Sequence, residues 1–183
     1  ALLAGLAPDG GLYVPARIPV LDDWSPLPTL ADSARRVLAP YFAGSSLAGR
    51  LEGICAGAFD VDAPLRPLAG DGDAVLELFH GPTAAFKDYA ARFLAGALAA
   101  LRAPGAPTRV ILVATSGDTG AAVASAFHAR EGFAVAILHP DGRVSPRQAH
   151  GLGCWGGNVH SVRVDGTFDD CQRLARGALA DAA

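Results

Sequence analysis

The chain has 183 residues, a length that suits one domain, or one domain with part of another. Its residues are 51% hydrophobic and 18% charged, which supplies a packed core and excludes a mainly disordered chain. The net charge of -3 comes without a basic run, and the apolar stretches are short and interrupted, so we expect neither nucleic-acid binding nor a membrane span.

The N-terminal third predicts a small, mainly helical region. Residues 12–14, "LYV", are typical of a short strand that ends at Pro15. Apolar residues then recur at helical spacing over 27–59, which predicts two or three helices broken at Pro40 and Gly44.

Residues 60–74 are rich in Pro, Asp and Gly and are predicted to form a linker, after which strands and helices alternate. Predicted strands cover 74–79, 109–114, 133–139 and 158–164, and predicted helices cover 83–102, 121–131, a short segment from 146 and a last segment from 168. This order predicts a parallel α/β sheet of βαβ units with right-handed crossovers. The apolar run at 109–114 is typical of a central strand buried on both faces.

Polar residues at the predicted helix starts are typical of N-caps. We predict Thr83 and Ser145 as N-caps, with Pro146 at the first helical position, and Thr167 with Asp170 as a capping pair.

Lys87, within "FHGPTAAFKDYAARF" (79–93), is the single lysine among fifteen basic residues. A lysine can lose its proton and form a Schiff base with a carbonyl, whereas an arginine cannot. Most lysines are solvated surface residues, but a chain that otherwise uses arginine makes a chemical role for this amine the stronger hypothesis.

A second candidate site is the loop "TSGDTG" between the strand at 109–114 and the next helix. Glycines, hydroxyl groups and open backbone amides at a helix N-terminus suit a carboxylate or phosphate. The loop residues that we select are Ser116, Gly117, Asp118, Thr119 and Gly120. A capped tight turn explains the same residues equally well.

The cysteines and histidines do not predict a metal site. Cys55, Cys154 and Cys171 lie far apart without a C-x-x-C pair, which favours reduced, buried thiols in a cytoplasmic protein. The five histidines lack metal-binding spacing, although His80 is near Lys87.

Four segments together resemble the threonine synthase family, which belongs to the fold-type II, tryptophan-synthase-β-like group of pyridoxal-phosphate enzymes. They are "GLAPDGGLYVP" (5–15), "ELFHGPTAAFKDYAARF" (77–93), "ATSGDTGAA" (114–122) and "GGNVHSVRVDGTFDDCQ" (156–172), in the family's order. The resemblance implies an N-terminal family region at 1–60 and part of the catalytic α/β domain at 74–183.

The resemblance also implies the chemistry. Lys87 would bond to pyridoxal phosphate and later move protons on the substrate, O-phospho-L-homoserine, which the family converts with water to L-threonine and phosphate. The loop at 116–120 would hold anionic oxygens of the substrate, with hydroxyl groups of Ser116 and Thr119 as donors and Asp118 orienting the loop. A small-molecule substrate and a monomer or homodimer in the cytoplasm are expected.

The chain departs from the family in length. It lacks methionine, it ends in a helical pattern, and the Gly-Asn-Phe-Gly-type loop for the cofactor phosphate is not in it. We therefore expect an incomplete fragment that is inactive alone and has an open sheet edge prone to association. The alternatives are a related phospholyase that eliminates phosphate without hydration and a non-catalytic domain that kept the fold.

Overall fold

A computed structural model describes residues 2–5, 7–9, 11–70 and 72–181. The chain forms two compact units, the first made of residues 1–61 and 93–103 and the second of residues 62–92 and 104–183. The last two residues of the predicted C-terminal helix, 182 and 183, lie outside the described part.

Helix α1, Leu30–Phe42, begins the helical part of the first unit. Thr29 is its N-cap, because the Thr29 side chain accepts a hydrogen bond from the Asp32 backbone N–H at 3.0 Å. The predicted break at Pro40 is wrong, since Pro40 lies inside the helix. Proline removes a single N–H donor there and leaves the rest of the last turn in place. The chain does turn at Gly44, which has a φ of +73°.

A short 3-10 helix, Ala48–Arg50, leads into α2, Leu51–Ala58. Leu47, Ile54 and Ala97 form a buried cluster against which Phe42 and Phe93 pack. The core of the first unit therefore includes the second part of a later helix, α3, Lys87–Leu101, of which residues 93–101 belong to this unit.

The predicted strand at 12–14 is wrong. These residues lie outside regular structure in the described part of the chain, and Leu12 and Val14 are about four-fifths exposed, 79% and 80%. A strand is stable only with a partner to accept and donate its backbone hydrogen bonds, and the local apolar run does not provide one.

The predicted linker at 60–74 contains regular structure. Strand β1, Leu65–Pro67, pairs antiparallel with β2, Ala74–Leu76, in a register that places Leu65 opposite Leu76. β2 is also three residues shorter than the predicted strand at 74–79. Pro, Asp and Gly in this stretch mark the turn of a hairpin rather than an unstructured connection.

A three-stranded parallel sheet forms the centre of the second unit. Its strands are β3, Arg109–Ala114, β4, Phe133–Pro140, and β5, Val159–Val164, in the order β3-β4-β5. The parallel α/β architecture is therefore confirmed, but the predicted central position of residues 109–114 is wrong for the described residues. β4 is the central strand, and β3 pairs on one side only. Val110 is accordingly 61% exposed, whereas Val135 and Ile137 of β4 are fully buried.

Three helices of the second unit pack on this sheet: α4, Asp118–Phe127; α5, Pro146–Gly153; and α6, Phe168–Asp181. Helix α3, Lys87–Leu101, begins in the second unit and continues in the first. The Ser145 cap with Pro146 at the first position and the Thr167–Asp170 pair are confirmed. Thr83 is not the N-cap of α3, because that helix begins four residues later, at Lys87. No helix in the described ranges is long and apolar enough to cross a membrane.

Candidate active site

The turn before α3 is built around a buried carboxylate. Asp88 is 1% exposed, and its two carboxylate oxygens accept hydrogen bonds from the Thr83 backbone N–H at 2.9 Å and from the Thr83 hydroxyl group at 2.7 Å. A Cβ atom on Gly81 would lie 2.5 Å from the Asp88 carboxylate, so the turn can close only with glycine there. Ala84 has a φ of +56°, a conformation that side chains rarely adopt. The contacts of Asp88 therefore fix the turn that precedes the helix.

Lys87 is the first residue of α3 and is partly buried. Its amine nitrogen Nζ lies 4.3 Å from the centroid of the Phe86 ring, a cation–π contact with a side chain that is 60% exposed. Within the described residues the amine has no carboxylate or hydrogen-bond partner. Lys87 is thus held in place by the turn while its amine stays available to a reactant.

His80 is not engaged with Lys87. Its Nε2 atom lies 2.7 Å from Glu77 Oε2, and its ring stacks beside Phe79 with the ring centroids 4.8 Å apart. The hydrogen bond from His80, with the charge of Arg66, lowers the pKa of the Glu77 carboxyl below its ordinary value, although burial opposes the shift. The local hydrogen bond with Glu77 therefore accounts for the position of the His80 side chain.

The loop between β3 and α4 is organised by a residue that the sequence did not single out. Thr115 is 2% exposed, and its hydroxyl oxygen accepts the backbone N–H groups of Gly117 at 3.0 Å and Gly120 at 3.1 Å. Those two amides are therefore not open to a ligand, contrary to expectation. The backbone N–H groups of Asp118 and Thr119 have no acceptor among the described residues, and they remain available.

Gly120 lets α4 approach the sheet closely. A Cβ atom there would lie 2.5 Å from Thr115 Cγ2 and 2.6 Å from Leu152 Cδ2 of α5. Glycine is required at position 120 for packing, because Thr115 and Leu152 are both buried and their side chains have no free space to move into. Ser116, Asp118 and Thr119 are exposed on the same loop, so the structure separates the predicted set into a buried glycine pair and three accessible polar residues.

Gln148, in the first turn of α5, connects the start of α5 with the start of α4. Its Oε1 atom accepts the Ser145 backbone N–H at 3.1 Å, and its Nε2 atom donates to Asp118 Oδ1 at 3.2 Å. A Cβ atom on Gly117 would lie 2.5 Å from Gln148 Cδ, so the glutamine side chain occupies that space. The φ of Gly117 is +147°, which also favours glycine.

These elements surround a cleft of about 370 Å³. Three segments line it: the turn at 82–84, the start of α4, and the helix α5 with the residues that follow. Its polar and aromatic side chains include Thr83, Asp118, Arg147, Gln148, His150 and Trp155. Of the predicted loop, Gly117 and Asp118 line the cleft, while Lys87 lies outside the lining, three residues beyond Ala84. The structure thus brings the lysine-bearing turn and the predicted anion loop to one cleft.

The structure corrects one prediction about the cysteines, since Cys55 and Cys171 are buried but Cys154 is exposed. Burial raises the pKa of the Cys55 and Cys171 thiols, which keeps them protonated. The described residues contain no group of three His, Cys, Asp or Glu side chains arranged to hold a metal ion.

Sequence reasoning missed three residues of the site: Asp88, Thr115 and Gln148. A signal existed for Gln148, because Ser145 followed by Gln148 is the capping-box pattern. The other two had no usable signal, since burial of a carboxylate and of a hydroxyl group follows from tertiary packing.

The chain matches the family described as pyridoxal-phosphate dependent enzymes over residues 74–183, more than half of its length. It belongs to this family. Residues 1–59 match a second family, described as the threonine synthase N terminus.

Known threonine synthases resemble the chain along its whole length. The threonine synthase of Haemophilus influenzae is 42% identical over 99% of this chain and 42% of its own length. The pyridoxal-phosphate-bound crystal structure of threonine synthase from Brucella melitensis has a TM-score of 0.81 at 38% identity over 98% of this chain and 41% of its own. The Escherichia coli enzyme has a TM-score of 0.82 at 37% identity over 98% and 42%.

The chain therefore spans about two-fifths of the length of the relatives that it matches. At these identities and TM-scores it shares their fold over that length, which confirms the resemblance seen in the four sequence segments.

Proposed function

We propose that the chain carries the lysine-bearing part of a threonine synthase, which converts O-phospho-L-homoserine and water to L-threonine and phosphate with pyridoxal phosphate. The observation that carries this proposal is Lys87, the single lysine, whose amine has no ion pair among the described residues and which follows Ala84, a lining residue of the cleft, by three positions. Residues 1–60 are proposed as the N-terminal region and residues 74–183 as part of the catalytic domain.

Of the groups expected to hold this cofactor, the chain contains the lysine and not the phosphate loop. Lys87 would supply the primary amine that holds the cofactor aldehyde, and the cleft lined by residues 82–84 has a volume of about 370 Å³, within the range of ligand pockets. When bound, pyridoxal phosphate supplies an electron sink for the negative charge that remains when a proton leaves carbon.

The side chain of Lys87 suits a second task, proton transfer. Conversion of the substrate requires protons to be taken from two adjacent carbon atoms, and a general base must reach both. The flexible four-carbon side chain of lysine can carry its amine from one carbon to the next, while Asp88 keeps the backbone of the turn fixed through Thr83. An arginine would stay protonated throughout and could not act as the base.

The loop at 116–120 is proposed to bind anionic oxygens of the substrate. The free backbone N–H groups of Asp118 and Thr119 lie at the positive end of α4, and the hydroxyl groups of Ser116 and Thr119 are exposed nearby. A small-molecule substrate, a cytoplasmic location and a monomeric or homodimeric assembly complete the proposal.

Borohydride reduction of the 183-residue chain mixed with pyridoxal phosphate tests the assignment of Lys87. Peptide mass mapping should find a phosphopyridoxyl group on Lys87 within the peptide 79–93, and the Lys87→Arg variant should lack it. The only other amine, at the chain N-terminus, serves as an internal control for reagent access. Modification of the N-terminus alone, both in this chain and in a chain extended to the length of its relatives, would refute the assignment.

Product analysis distinguishes the proposed reaction from elimination without hydration. With O-phospho-L-homoserine as substrate, a threonine synthase releases phosphate and L-threonine in equal amounts. Phosphate release without threonine would instead identify a phospholyase.

A further inference from the structure

The side-chain amide of Gln148 makes two hydrogen bonds, one through its oxygen and one through its nitrogen. Its oxygen accepts the Ser145 backbone N–H and completes the capping box of α5, in which the Gln148 backbone N–H donates to Ser145 Oγ at 3.3 Å. Its nitrogen donates to Asp118 Oδ1 at the start of α4. One side chain therefore joins the N-termini of two helices that border the cleft.

The helix cap alone does not require glutamine at this position. A glutamate would accept the same Ser145 N–H and would suit the positive end of α5 equally well. Only the contact with Asp118 distinguishes the two residues, because a glutamate would present a carboxylate to another carboxylate. The amide nitrogen is thus needed for the loop and not for the helix.

Asp118 lies where its carboxylate could interfere with the proposed anion site. The free N–H groups of Asp118 and Thr119 are the donors proposed for the substrate, and a carboxylate turned toward them would compete with or repel an anion. The hydrogen bond from Gln148 holds that carboxylate on the α5 side, and Gly117 leaves room for the glutamine to reach it.

We propose that Gln148 is a positioning residue, which holds the Asp118 carboxylate away from the amides that bind the substrate's anionic group. This proposal rests on the proposed function of the loop at 116–120. Gln148 itself lines the cleft, and the role proposed here is exerted through its hydrogen bond to Asp118.

Exchange of donor and acceptor tests the contact. In Gln148→Glu the cap of α5 is kept and the bond to Asp118 is lost, whereas in the double variant Gln148→Glu/Asp118→Asn the new asparagine amide can donate to the glutamate. Gln172→Glu, in α6, is the matched control, because it adds the same charge at the only other glutamine.

Two measurements on the 183-residue chain are compared. The first is hydrogen exchange of the amides at 117–121 without ligand, and the second is calorimetric binding of O-phospho-L-homoserine to the chain mixed with pyridoxal phosphate. We expect Gln148→Glu to speed exchange and to weaken binding roughly tenfold, the effect of losing one hydrogen bond of ordinary strength. The double variant should recover most of both effects, and Gln172→Glu should match the wild type.

Each outcome decides the proposal. If Gln148→Glu behaves like Gln172→Glu, or if the double variant recovers neither effect, Gln148 has no positioning role through Asp118. If no substrate binds and Lys87 is not labelled, both in this chain and in a chain extended to the length of its relatives, the proposed function fails. In that case hydrogen exchange still tests the contact between Gln148 and Asp118. If exchange at 117–121 is faster in Gln148→Glu and slows again in the double variant, Gln148 holds the loop through Asp118. If exchange is unchanged in Gln148→Glu, Gln148 has no such role.

Discussion

At the scale of single residues, the buried carboxylate of Asp88 fixes the turn that precedes Lys87. It is almost fully buried and accepts two hydrogen bonds from Thr83, and it directly follows Lys87. A buried carboxylate is tolerated only when its oxygens are paired, so the turn and the carboxylate stabilise each other. The position of Lys87 consequently depends on a neighbour that performs no chemistry.

Asp88→Ala should destabilise the chain by about 2–4 kcal/mol, because it leaves the backbone N–H and the hydroxyl group of Thr83 without acceptors and opens a small cavity. Asp88→Asn should cost about 1 kcal/mol, since the asparagine oxygen can still accept the N–H while the Thr83 hydroxyl group turns to accept. Urea unfolding measures both. Asp165→Ala, at an exposed carboxylate, is the control and should change stability by less than about 0.5 kcal/mol. Equal midpoints for Asp88→Ala and the wild type would contradict this account.

At the scale of elements, α6 shows how a local sequence signal becomes a pH-dependent contribution to stability. The Thr167 backbone N–H and hydroxyl group donate to Asp170 at 2.7 and 2.8 Å, and Arg173 lies 2.7 Å from the same carboxylate. These hydrogen bonds, first that of the Thr167 N–H, lower the pKa of Asp170 from 3.8 to about 2. Because the folded pKa is the lower one, the folded state favours the ionised form.

The stability that Asp170 contributes should therefore be complete at neutral pH, and it should be lost as the pH falls from about 3.8 to about 2. Asp170→Asn is expected to be less stable than the wild type at pH 7, with the difference closing across that range. Urea unfolding at pH 7, 4, 3 and 2 measures it. Asp169→Asn, in the same helical turn but exposed, should show a smaller difference. A gap between Asp170→Asn and the wild type that widens on acidification would refute the assignment.

Some features of the structure could be predicted from the sequence, and others could not. Caps that depend on residues three apart were predicted correctly at Ser145 and at Thr167 with Asp170, because the interaction is local. Thr83 was assigned as a cap from the same kind of pattern, but its partner is the buried Asp88. The fold class followed from the alternation of strands and helices, whereas the strand order did not, since burial of an apolar run does not say which strands pair.

Only some residues of the candidate site could likewise be predicted from the sequence. Lys87 and the polar loop were selected because their chemistry is visible in residue type alone. Thr115 and Gln148 were missed because their roles arise from distances between elements, with Thr115 occupying two loop amides and Gln148 spanning from α5 to Asp118. Residue type indicates what can react, and tertiary contacts decide which groups remain free to do so.

At the scale of the whole molecule, exposed apolar side chains are the main feature. The segment between residues 12 and 24 has several that are at least three-quarters exposed, namely Leu12, Val14, Ile18, Val20 and Trp24. In the described sheet both β3 and β5 pair on one side only, and Val110 and Val162 are exposed on them. Apolar surface beside unpaired backbone groups favours association between chains.

We therefore expect the 183-residue chain to associate as its concentration rises and Val110→Lys to reduce this association. A lysine on an unpaired strand opposes edge-to-edge pairing, and its long side chain can reach solvent from a position that is 61% exposed. The stability of the single chain should change by less than about 1 kcal/mol, the span of strand propensities. Sedimentation velocity between about 5 and 100 µM measures association, and urea unfolding at the lowest concentration measures stability. The variant Val162→Lys, on β5 at the opposite edge, shows whether association occurs mainly through one edge of the sheet. A wild-type chain that sediments as a monomer throughout would contradict the expectation, since the exposed edge of β3 would then be protected by its own twist or charge.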